Sequence, residues 1–381
     1  MEVSNPSGVA VDTMAVVPVA EAARVALRFP GSLAIAVVPG KPATFLPTQA
    51  DDLDGDGVPD EFVFPIALGP NERRAVHVYY STTLHDSLPW PKRVHASHAF
   101  GYNRSTVALE SEVIGYRTYG GFFLDVQARR EGKPGLYNSL VGYFGSREPS
   151  GAGMDIIHLG DTLGLGGLFL RAGADVFRPP LNMPDYAHKP APAEAPVYRV
   201  VADGPVRAVV EVRMDRWTIG ADAVGISALY SIAAGSEFVD CRFRVVPLRV
   251  SRTYQVGTGV RHLPELALRN ASGRIALSGQ QTAAIGPLAL ALYYDPGTAD
   301  ATEPLRTKDD LNESVVFHEP LQPGRAVAGR YSVAAVWSGS GIRDLLSHLV
   351  GLEPKARAAV VIGGFKHART PAPERLEGEA Y

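Results

Sequence analysis

Turn-forming residues recur along the whole of this chain and limit how long any helix in it can be. Its 381 residues include 39 glycines and 30 prolines, which are spread along the chain and not confined to one tract. Glycine supplies the positive φ angles of tight turns and proline fixes φ, so this distribution favours many short strands joined by turns. A chain of this length is too long for one small core and suggests two domains, or a large domain with a small companion.

The strand pattern is clearest in the centre of the chain. We expect strands at residues 197–202, 206–217, 224–233 and 237–250. Within the last of these, arginines alternate with apolar residues in CRFRV, which is typical of a strand with one wet and one dry face. The pattern also predicts one helix, at residues 341–350, with Ser340 as its cap.

Together these elements predict an all-β fold, a large antiparallel two-sheet sandwich with a small N-terminal β unit. We expect the small unit, which carries an acidic loop, to occupy residues 1–85 and the sandwich domain to occupy residues 86–381. Inside the small unit, the sequence predicts strands at residues 24–29, 61–68 and 74–80.

Composition excludes several classes of partner. The net charge of −3 leaves no basic excess for a phosphate backbone, so we expect no nucleic-acid partner. Cys241 is the single cysteine, which excludes an intrachain disulfide and a multi-cysteine metal site and fits a packed strand position. No apolar run approaches the roughly 18 residues of a membrane span.

The N-terminal segment gives little information on the cellular compartment. The start, MEVSNPSG, lacks the basic region of a signal peptide. A secreted or periplasmic protein whose leader has been removed and a cytoplasmic protein would share this start, so the compartment stays open.

An acidic loop, DDLDGDGVPDE at residues 51–61, is the most conspicuous local motif. Its carboxylates at Asp52, Asp54, Asp56 and Asp60 supply the hard oxygens that Ca²⁺ prefers, and Gly57 stands where a sharp turn is needed. The spacing differs from an EF-hand, and the alternative is a solvated hairpin loop held by Asx-turns. We expect any calcium here to be structural, and we expect no other cofactor.

A glycine-rich segment, GAGMDIIHLGDTLGLGG at residues 151–167, is a second candidate region. Asp155 and His158 lie three residues apart in a setting that lets the backbone approach a ligand closely. This pattern fits a pocket floor with both side chains pointing into it. The alternative is a tight corner between strands. No GK[ST] follows, so a phosphate loop is not indicated.

Residues 95–119 combine aromatic and ionic side chains that suit a sugar-binding groove on one sheet face. The alternative is an exposed, charge-paired strand. Two histidines elsewhere could join such a groove: His188, from a proline-rich stretch, and His262, which follows an extended run. The region gathers His95, and its candidate site residues are His98, Tyr102, Arg104, Glu110, Glu112, Tyr116, Arg117 and Tyr119.

The sequence lacks the GxSxG, HExxH and strand–helix GxGxxG motifs, which argues against serine hydrolases, zinc proteases and dinucleotide-binding enzymes. Four other segments carry a resemblance. In chain order they are TQADDLDGDGVPDEFVFPIAL, GMDIIHLGDTLGLGG, DGPVRAVVEV and SIAAGSEFVDCRFRV, between Thr48 and Val245.

These segments resemble the landmarks of an uncharacterised bacterial family that is met in polysaccharide-degradation settings, often beside unsaturated uronyl hydrolases. The resemblance implies a β-supersandwich similar to galactose mutarotases and to the sandwich domains of polysaccharide lyases. The short N-terminus without a clear leader departs from the family's pattern. The resemblance also implies a site role for Arg207, which we place among the substrate-binding residues. The family positions carried over are Asp155, Gly160, Thr162, Gly164, Gly166, Gly204, Pro205 and Arg207.

The leading functional hypothesis is a lyase that cleaves a uronic-acid-containing glycan by β-elimination. That reaction needs a cation or donor for the carboxylate, a base for the C5 proton and an acid for the leaving oxygen. Candidate residues are Arg104 or Arg117 as the cation, His98 or His158 as the base, and Tyr102 or Tyr119 as the acid.

Three alternatives stay open. A glycoside hydrolase would pair Glu110 or Glu112 with Asp155. A sugar epimerase could use the same fold. A non-catalytic glycan-binding module would need aromatic side chains on one face but no acid–base pair with shifted pKa values.

Overall fold

The computed structural model describes residues 1–81, 90–101, 104–118, 121–137, 151–180, 195–283, 285–307, 311–356 and 359–366, without the side chains of residues 99–101, 104, 105, 354 and 356. The chain forms two compact units. The first consists of Met1–Arg93, Val201–Arg207 and Ala358–Tyr381. The second consists of Val94–Val200 and Ala208–Arg357. The boundary predicted at residue 85 lies in residues 82–89, outside the described residues.

The first unit contains three small antiparallel sheets of three strands each, with spatial orders β27-β1-β7, β2-β6-β5 and β4-β3-β8. A short helix, α1 (Val19–Val25), follows β2. A separate apolar core, which includes Val17, Phe62 and Phe64, holds this unit together. Its strands are β1 (Glu2–Ser4), β2 (Val11–Pro18), β3 (Ala34–Val38), β4 (Thr44–Leu46), β5 (Gln49–Asp51), β6 (Glu61–Leu68), β7 (Arg73–Ala75), β8 (His77–Tyr80) and β27 (Val361–Gly363).

A ten-stranded antiparallel sheet forms one layer of the second unit. Its main spatial order is β24-β25-β20-β14-β12-β11-β10-β9, and β13 and β15 pair with β12 and β14. The strands are β9 (Val94–Gly101), β10 (Arg104–Ser111), β11 (Ile114–Thr118), β12 (Leu124–Arg129), β13 (Gly153–Asp155), β14 (Leu165–Ala172), β15 (Asp175–Phe177), β20 (Gln255–Arg261), β24 (Ala299–Arg306) and β25 (Leu311–Phe317).

An eight-stranded sheet forms the other layer, with the order β16-β17-β18-β19-β26-β23-β22-β21. Both sheets contribute to one large apolar core, which therefore lies between them. The strands are β16 (Val197–Asp203), β17 (Arg207–Ile219), β18 (Asp222–Ala233), β19 (Phe238–Arg249), β21 (Ala267–Leu268), β22 (Arg274–Gln280), β23 (Pro287–Tyr294) and β26 (Val327–Trp337). The predicted all-β sandwich is confirmed.

Strand alternation places the core residues as the sequence indicated. In β19, Val239, Cys241 and Phe243 are buried, whereas Arg242 and Arg244 are exposed. Burial raises the pKa of the Cys241 thiol, so it stays protonated and packs as a small apolar group.

The second helix, α2 (Leu345–Ala356), packs on a different part of the eight-stranded sheet. Leu345, Leu346 and Leu349 bury against alanines of β22, β23 and β26. The helix begins later than predicted because Asp344, and not Ser340, accepts the Ser347 N–H at 2.9 Å. Ser340 instead donates its hydroxyl to the carbonyl of Trp337, next to a 3₁₀ turn at Ser338–Ser340.

The strand predicted at residues 24–29 is wrong. Val19 and Ala22, three residues apart, are buried on α1, which extends to Val25. Arg28 then adopts φ 67°, a left-handed conformation that a regular strand cannot contain. Within the described residues, neither helix has the length and hydrophobicity that crossing a membrane would require.

Candidate active site

Strand β12, with the sequence LDVQAR, carries polar side chains on the face that does not line the core. Leu124, Val126 and Ala128 belong to the large apolar core. Because strand side chains alternate, Asp125, Gln127 and Arg129 point to the opposite face of the ten-stranded sheet. All three are nevertheless buried, at 1%, 0% and 5% exposure. Burial of charged groups on an outer face marks this face as unusual.

Strand register extends this polar surface across five strands. Reading from β9 to β13, His95, Glu110, Gly115, Gln127 and Asp155 are successive cross-strand partners. Directly opposed residues in an antiparallel ladder share a face. Two positions further along β11, Arg117 is the cross-strand partner of Asp125. We call this surface the polar face; its members are His95, Glu110, Arg117, Asp125, Gln127, Arg129 and Asp155.

Arg117 joins two carboxylates on the polar face. Its Nη2 donates to Asp125 Oδ2 and lies 3.6 Å from Asp155 Oδ2. The side chains of Arg117 and Asp125 are 6% and 2% exposed, whereas Asp155 is 11% exposed. Asp155 is thus the member of this group that is most open to a ligand.

Asp155 holds a proton more tightly than an ordinary aspartate. Burial raises its pKa well above the usual value, and the neighbouring charge of Asp125 raises the pKa further. Arg117 and the Ile157 N–H, which donates to Oδ1 at 3.3 Å, act in the opposite direction. A hydrogen bond joins the Asp125 and Asp155 carboxyl groups. The arrangement is a hydrogen-bonded carboxyl dyad beside a guanidinium, in which the pKa of Asp155 is raised.

A second ion pair flanks the dyad on the polar face. Arg129 Nη2 donates to Glu110 Oε2, and both side chains are almost fully buried. The guanidinium of Arg129 also lies 5.1 Å from the ring centre of Tyr137. Burial lowers the pKa of Arg129, while the charge of Glu110 raises it. Glu110 is therefore occupied by Arg129, and three strand spacings separate it from Asp155.

His98 does not share the polar face. It pairs with Val107, whose side chain lines the core, and three positions separate it from His95. Because a strand alternates with period two, His95 faces the polar side and His98 faces the other side. The predicted base role of His98 is therefore inconsistent with a site at Asp155.

His158 and His262 lie on neighbouring segments that hydrogen bonds connect. Gln281 Oε1 accepts the His158 N–H and Gln281 Nε2 donates to the His158 carbonyl, both at 2.8 Å. Arg261 donates to the same carbonyl. These bonds fix the His158 backbone while its side chain stays exposed. His262 Nε2 lies 2.7 Å from Glu313 Oε1, so its ring is held by a carboxylate.

Glu112 lies beyond the end of β10 at Ser111, so it does not continue the strand face of Glu110. Its Oε2 accepts the Gly235 N–H at 3.0 Å. Four further predicted site residues cannot be placed: Tyr102, Tyr119 and His188 lie outside the described residues, as does the side chain of Arg104.

Tyr116 lies in the core and not in a groove. Its hydroxyl donates to the Glu237 carbonyl at 2.6 Å and accepts the Ala335 N–H at 3.2 Å. Burial raises the pKa of this phenol, which stays protonated. A side chain at 0% exposure has no surface for a glycan, so the predicted substrate-binding role is not supported.

Tyr116→Phe is expected to lower the free energy of unfolding by about 1–2 kcal/mol, because two buried backbone groups lose a partner. In any activity assay, the folded variant should match the wild type. Denaturant unfolding and steady-state kinetics measure both effects, and Tyr79→Phe, at a partly exposed ring, is the matched control. A selective loss of substrate affinity in Tyr116→Phe would restore the binding role.

Arg207 is a buried structural residue of the first unit. Its Nε donates to Asp51 Oδ2 at 2.8 Å, and its Nη2 lies 2.7 Å from Glu61 Oε2. The charges of Asp51 and Glu61 raise its pKa against the lowering effect of burial. Gln49 completes the cluster, since its Oε1 accepts the Arg207 N–H at 3.0 Å. The guanidinium is thus engaged by two carboxylates, and the predicted substrate contact is not supported.

The acidic loop holds itself together through its own carboxylates. Asp52 accepts the N–H groups of Gly55 at 2.6 Å and Gly57 at 2.8 Å, and these bonds lower its pKa. Asp56 accepts the Val58 N–H at 2.8 Å. Asp52, Asp54 and Asp60 each place one oxygen within 4.8 Å of the others, a spacing that suits a shared cation. Asp56 is outside this group.

Residues 3–347 match the family described as Domain of unknown function (DUF4861). The chain belongs to this family. The match confirms the resemblance to an uncharacterised family that the sequence landmarks predicted. No curated protein matches the chain.

Solved structures with a similar backbone share little sequence with this family member. An α-mannosidase from Enterococcus faecalis V583 is 8% identical, with 88% of this chain and 43% of that chain covered and a TM-score of 0.46. A protein in the Glycosyl Hydrolase Family 38 from Enterococcus faecalis is 7% identical, with 97% and 48% covered and a TM-score of 0.48.

A mutant of the heparan sulfate lyase HepC from Pedobacter heparinus is 9% identical, with 68% and 37% covered and a TM-score of 0.30. The chain therefore spans less than half the length of each of these structures.

Sequence reasoning missed three members of the polar face in this family member: Asp125, Gln127 and Arg129. The signal for them was present in LDVQAR, where charged and amide side chains alternate with apolar ones. Alternation alone, however, predicts a solvated face. The burial that distinguishes this face depends on tertiary structure.

Proposed function

We propose that this protein is a carbohydrate-active enzyme that cleaves a uronic-acid-containing glycan by β-elimination. The observation that carries the proposal is the hydrogen-bonded dyad of Asp155 and Asp125 beside Arg117, in which burial raises the pKa of Asp155. A carboxyl group that keeps its proton near neutral pH can act as a general acid. Elimination needs such an acid to protonate the leaving glycosidic oxygen.

In the proposed mechanism, Asp155 donates its proton to the leaving oxygen as the bond from that oxygen to C4 breaks. A base removes the C5 proton, and the electron pair of the C5–H bond forms the C4–C5 double bond. Arg117 stabilises the carboxylate that Asp155 becomes, because its guanidinium lies 3.6 Å away. We assign the base to His158, whose side chain is exposed on a fixed backbone, and the charge-neutralising cation to Arg104.

Geometry gives less support to the hydrolase alternative. Glycosidases place two carboxyl groups on opposite sides of the scissile bond, roughly 5–9.5 Å apart. The carboxyl groups of Asp125 and Asp155 hydrogen-bond to each other and leave no such space. Glu110 is engaged by Arg129 and lies three strands from Asp155, a backbone separation of about 14 Å.

The test is to incubate the protein with uronate polysaccharides and follow the ultraviolet absorbance of the unsaturated uronate that elimination creates. Rising absorbance supports the lyase. New reducing ends without absorbance would instead identify a hydrolase. Binding without either product would identify a non-catalytic module, and all three outcomes come from one set of reactions.

We also propose Ca²⁺ as a structural occupant of the acidic loop, held by Asp52, Asp54 and Asp60. Calcium is then expected to raise the melting temperature relative to a chelator-treated sample, because it binds the folded loop. Asp54→Asn should remove this difference, whereas Asp12→Asn, an exposed change in the same unit, should keep it. If the melting temperature is the same with calcium and with chelator, the Asx-turns stabilise the loop without a metal ion.

A further inference from the structure

An open cavity of about 510 Å³ lies within the first unit, which contributes no residue to the polar face. Helix α1 forms one wall of the cavity through Ala22 and Val25, and strand β8 forms another through Val78. The segment that follows β27, at residues 364–366, lines a third side. The volume is typical of small-molecule sites, which span roughly 300–1,000 Å³. No residue of the acidic loop lines the cavity.

The walls of the cavity are largely apolar. Val17 and Phe29 line it and also belong to the core of this unit. The Phe29 ring meets the Tyr80 ring in a T-shaped contact, with 5.4 Å between the ring centroids. Val25 is 40% exposed although its side chain is aliphatic. An apolar ligand would remove this surface from water, which is favourable in proportion to the apolar area that is covered.

The charged side chains of the cavity favour an anion. Lys366 and His77 line it and are exposed, and neither pairs with a carboxylate among the described residues. Glu2 also lines the cavity, but its Oε1 lies 3.4 Å from Nη1 of Arg73. The Lys366 ammonium therefore supplies a positive charge that a ligand can use.

We infer that this cavity binds an amphipathic carboxylate, a molecule whose apolar chain or ring system ends in a carboxylate group. The apolar body packs against Val25, Phe29 and Tyr80, and the carboxylate pairs with Lys366. A sugar fits less well, because it would place hydroxyl groups against aliphatic side chains that offer no hydrogen-bond partners. The inference does not depend on the proposed lyase activity, since no residue of the polar face takes part.

Decanoate is a suitable probe because it joins a flexible apolar chain to a carboxylate. Isothermal titration calorimetry with the full chain should show saturable binding at one site. Val25→Trp places an indole at the cavity and should weaken this binding at least about tenfold, since keeping two methylene groups out of the cavity accounts for that factor. Val9→Trp, at a side chain of the same unit that is 49% exposed and does not line the cavity, is the matched control and should bind decanoate as the wild type does.

Lys366→Met tests the charge, because methionine keeps much of the apolar stem of lysine and removes the ammonium. Decanoate binding should weaken roughly two- to fivefold, the range of an exposed ion pair, whereas binding of the neutral decan-1-ol should not change. Lys41→Met, at an exposed lysine of the same unit that does not line the cavity, should alter neither affinity.

Several results would overturn the inference. Without saturable decanoate binding, the cavity does not take this class of ligand. Equal decanoate affinities in Val25→Trp and the wild type would place the binding elsewhere. Displacement of decanoate by glucuronate would make the cavity a sugar subsite instead. If Val25→Trp does not fold, equal decanoate affinities in Lys366→Met and the wild type would refute the ion pair. A wild type without lyase activity would overturn the proposed function and leave this inference standing.

Discussion

Asp155→Asn is expected to lower kcat/KM on a uronate glycan by roughly 10²–10⁴-fold, the usual contribution of a general acid. Asparagine keeps the shape of the protonated carboxyl but cannot give up a proton to the leaving oxygen. Asp215→Asn, at a side chain that is 69% exposed in the same unit, is the matched control and should retain full activity. Kinetics on both variants measure the effect.

The free energy of unfolding of Asp155→Asn should rise, whereas its activity should fall. The folded-state pKa of Asp155 is raised by burial and by Asp125, so its contribution to stability is complete below the unfolded-state pKa. That contribution is lost as pH rises through the folded-state pKa. Asp155→Asn cannot ionise, so its unfolding free energy should exceed that of the wild type at high pH, and the advantage should shrink as pH falls.

The same titration should appear in the kinetics. If Asp155 supplies the proton, wild-type kcat/KM falls as pH rises above the folded-state pKa of Asp155. Wild-type activity in Asp155→Asn would show that Asp155 is not the general acid. A wild-type pH profile in which kcat/KM does not fall at alkaline pH would show the same.

Arg207→Met is expected to destabilise the first unit by about 3–5 kcal/mol, because it removes the cation that faces the buried Asp51 and the half-buried Glu61. Arg213→Met removes an exposed pair with Asp215 and should cost less than about 1 kcal/mol. Denaturant unfolding measures both values.

The triple variant Arg207→Met/Asp51→Asn/Glu61→Gln removes all three charges. It should recover much of the lost free energy of unfolding, since this cluster would keep no charge. Equal stabilities for Arg207→Met and the wild type would show that water already solvates this cluster. Activity of the folded variant should persist, in contrast to Asp155→Asn.

More of the fold than of the candidate site could be predicted from the sequence. Alternation in β19 and the turn residues were enough for an all-β sandwich, because period-two patterning and turn chemistry are local properties. The alternation read at residues 24–29 was misleading, since α1 and the left-handed Arg28 occupy that segment.

Sequence reasoning selected Arg117 and Asp155, two members of the polar face, because both residue types suit the chemistry and lie near glycines. It did not find Asp125 or Gln127, and it could not separate His95 from His98. Those distinctions depend on register between strands that are distant in sequence, which a single strand does not encode. For the same reason Arg207 looked like a ligand contact, although its partner Asp51 lies 156 positions earlier.

The interrupted path of the chain through the first unit affects the order in which that unit can be completed during synthesis. Strand β1, at Glu2–Ser4, is the middle strand of its sheet, and one of its two neighbours is β27, at Val361–Gly363. At about 5–20 residues per second, a ribosome delivers β27 roughly 20–70 s after β1. Until then β1 keeps an open edge, so completion of its sheet waits for a strand that is made much later.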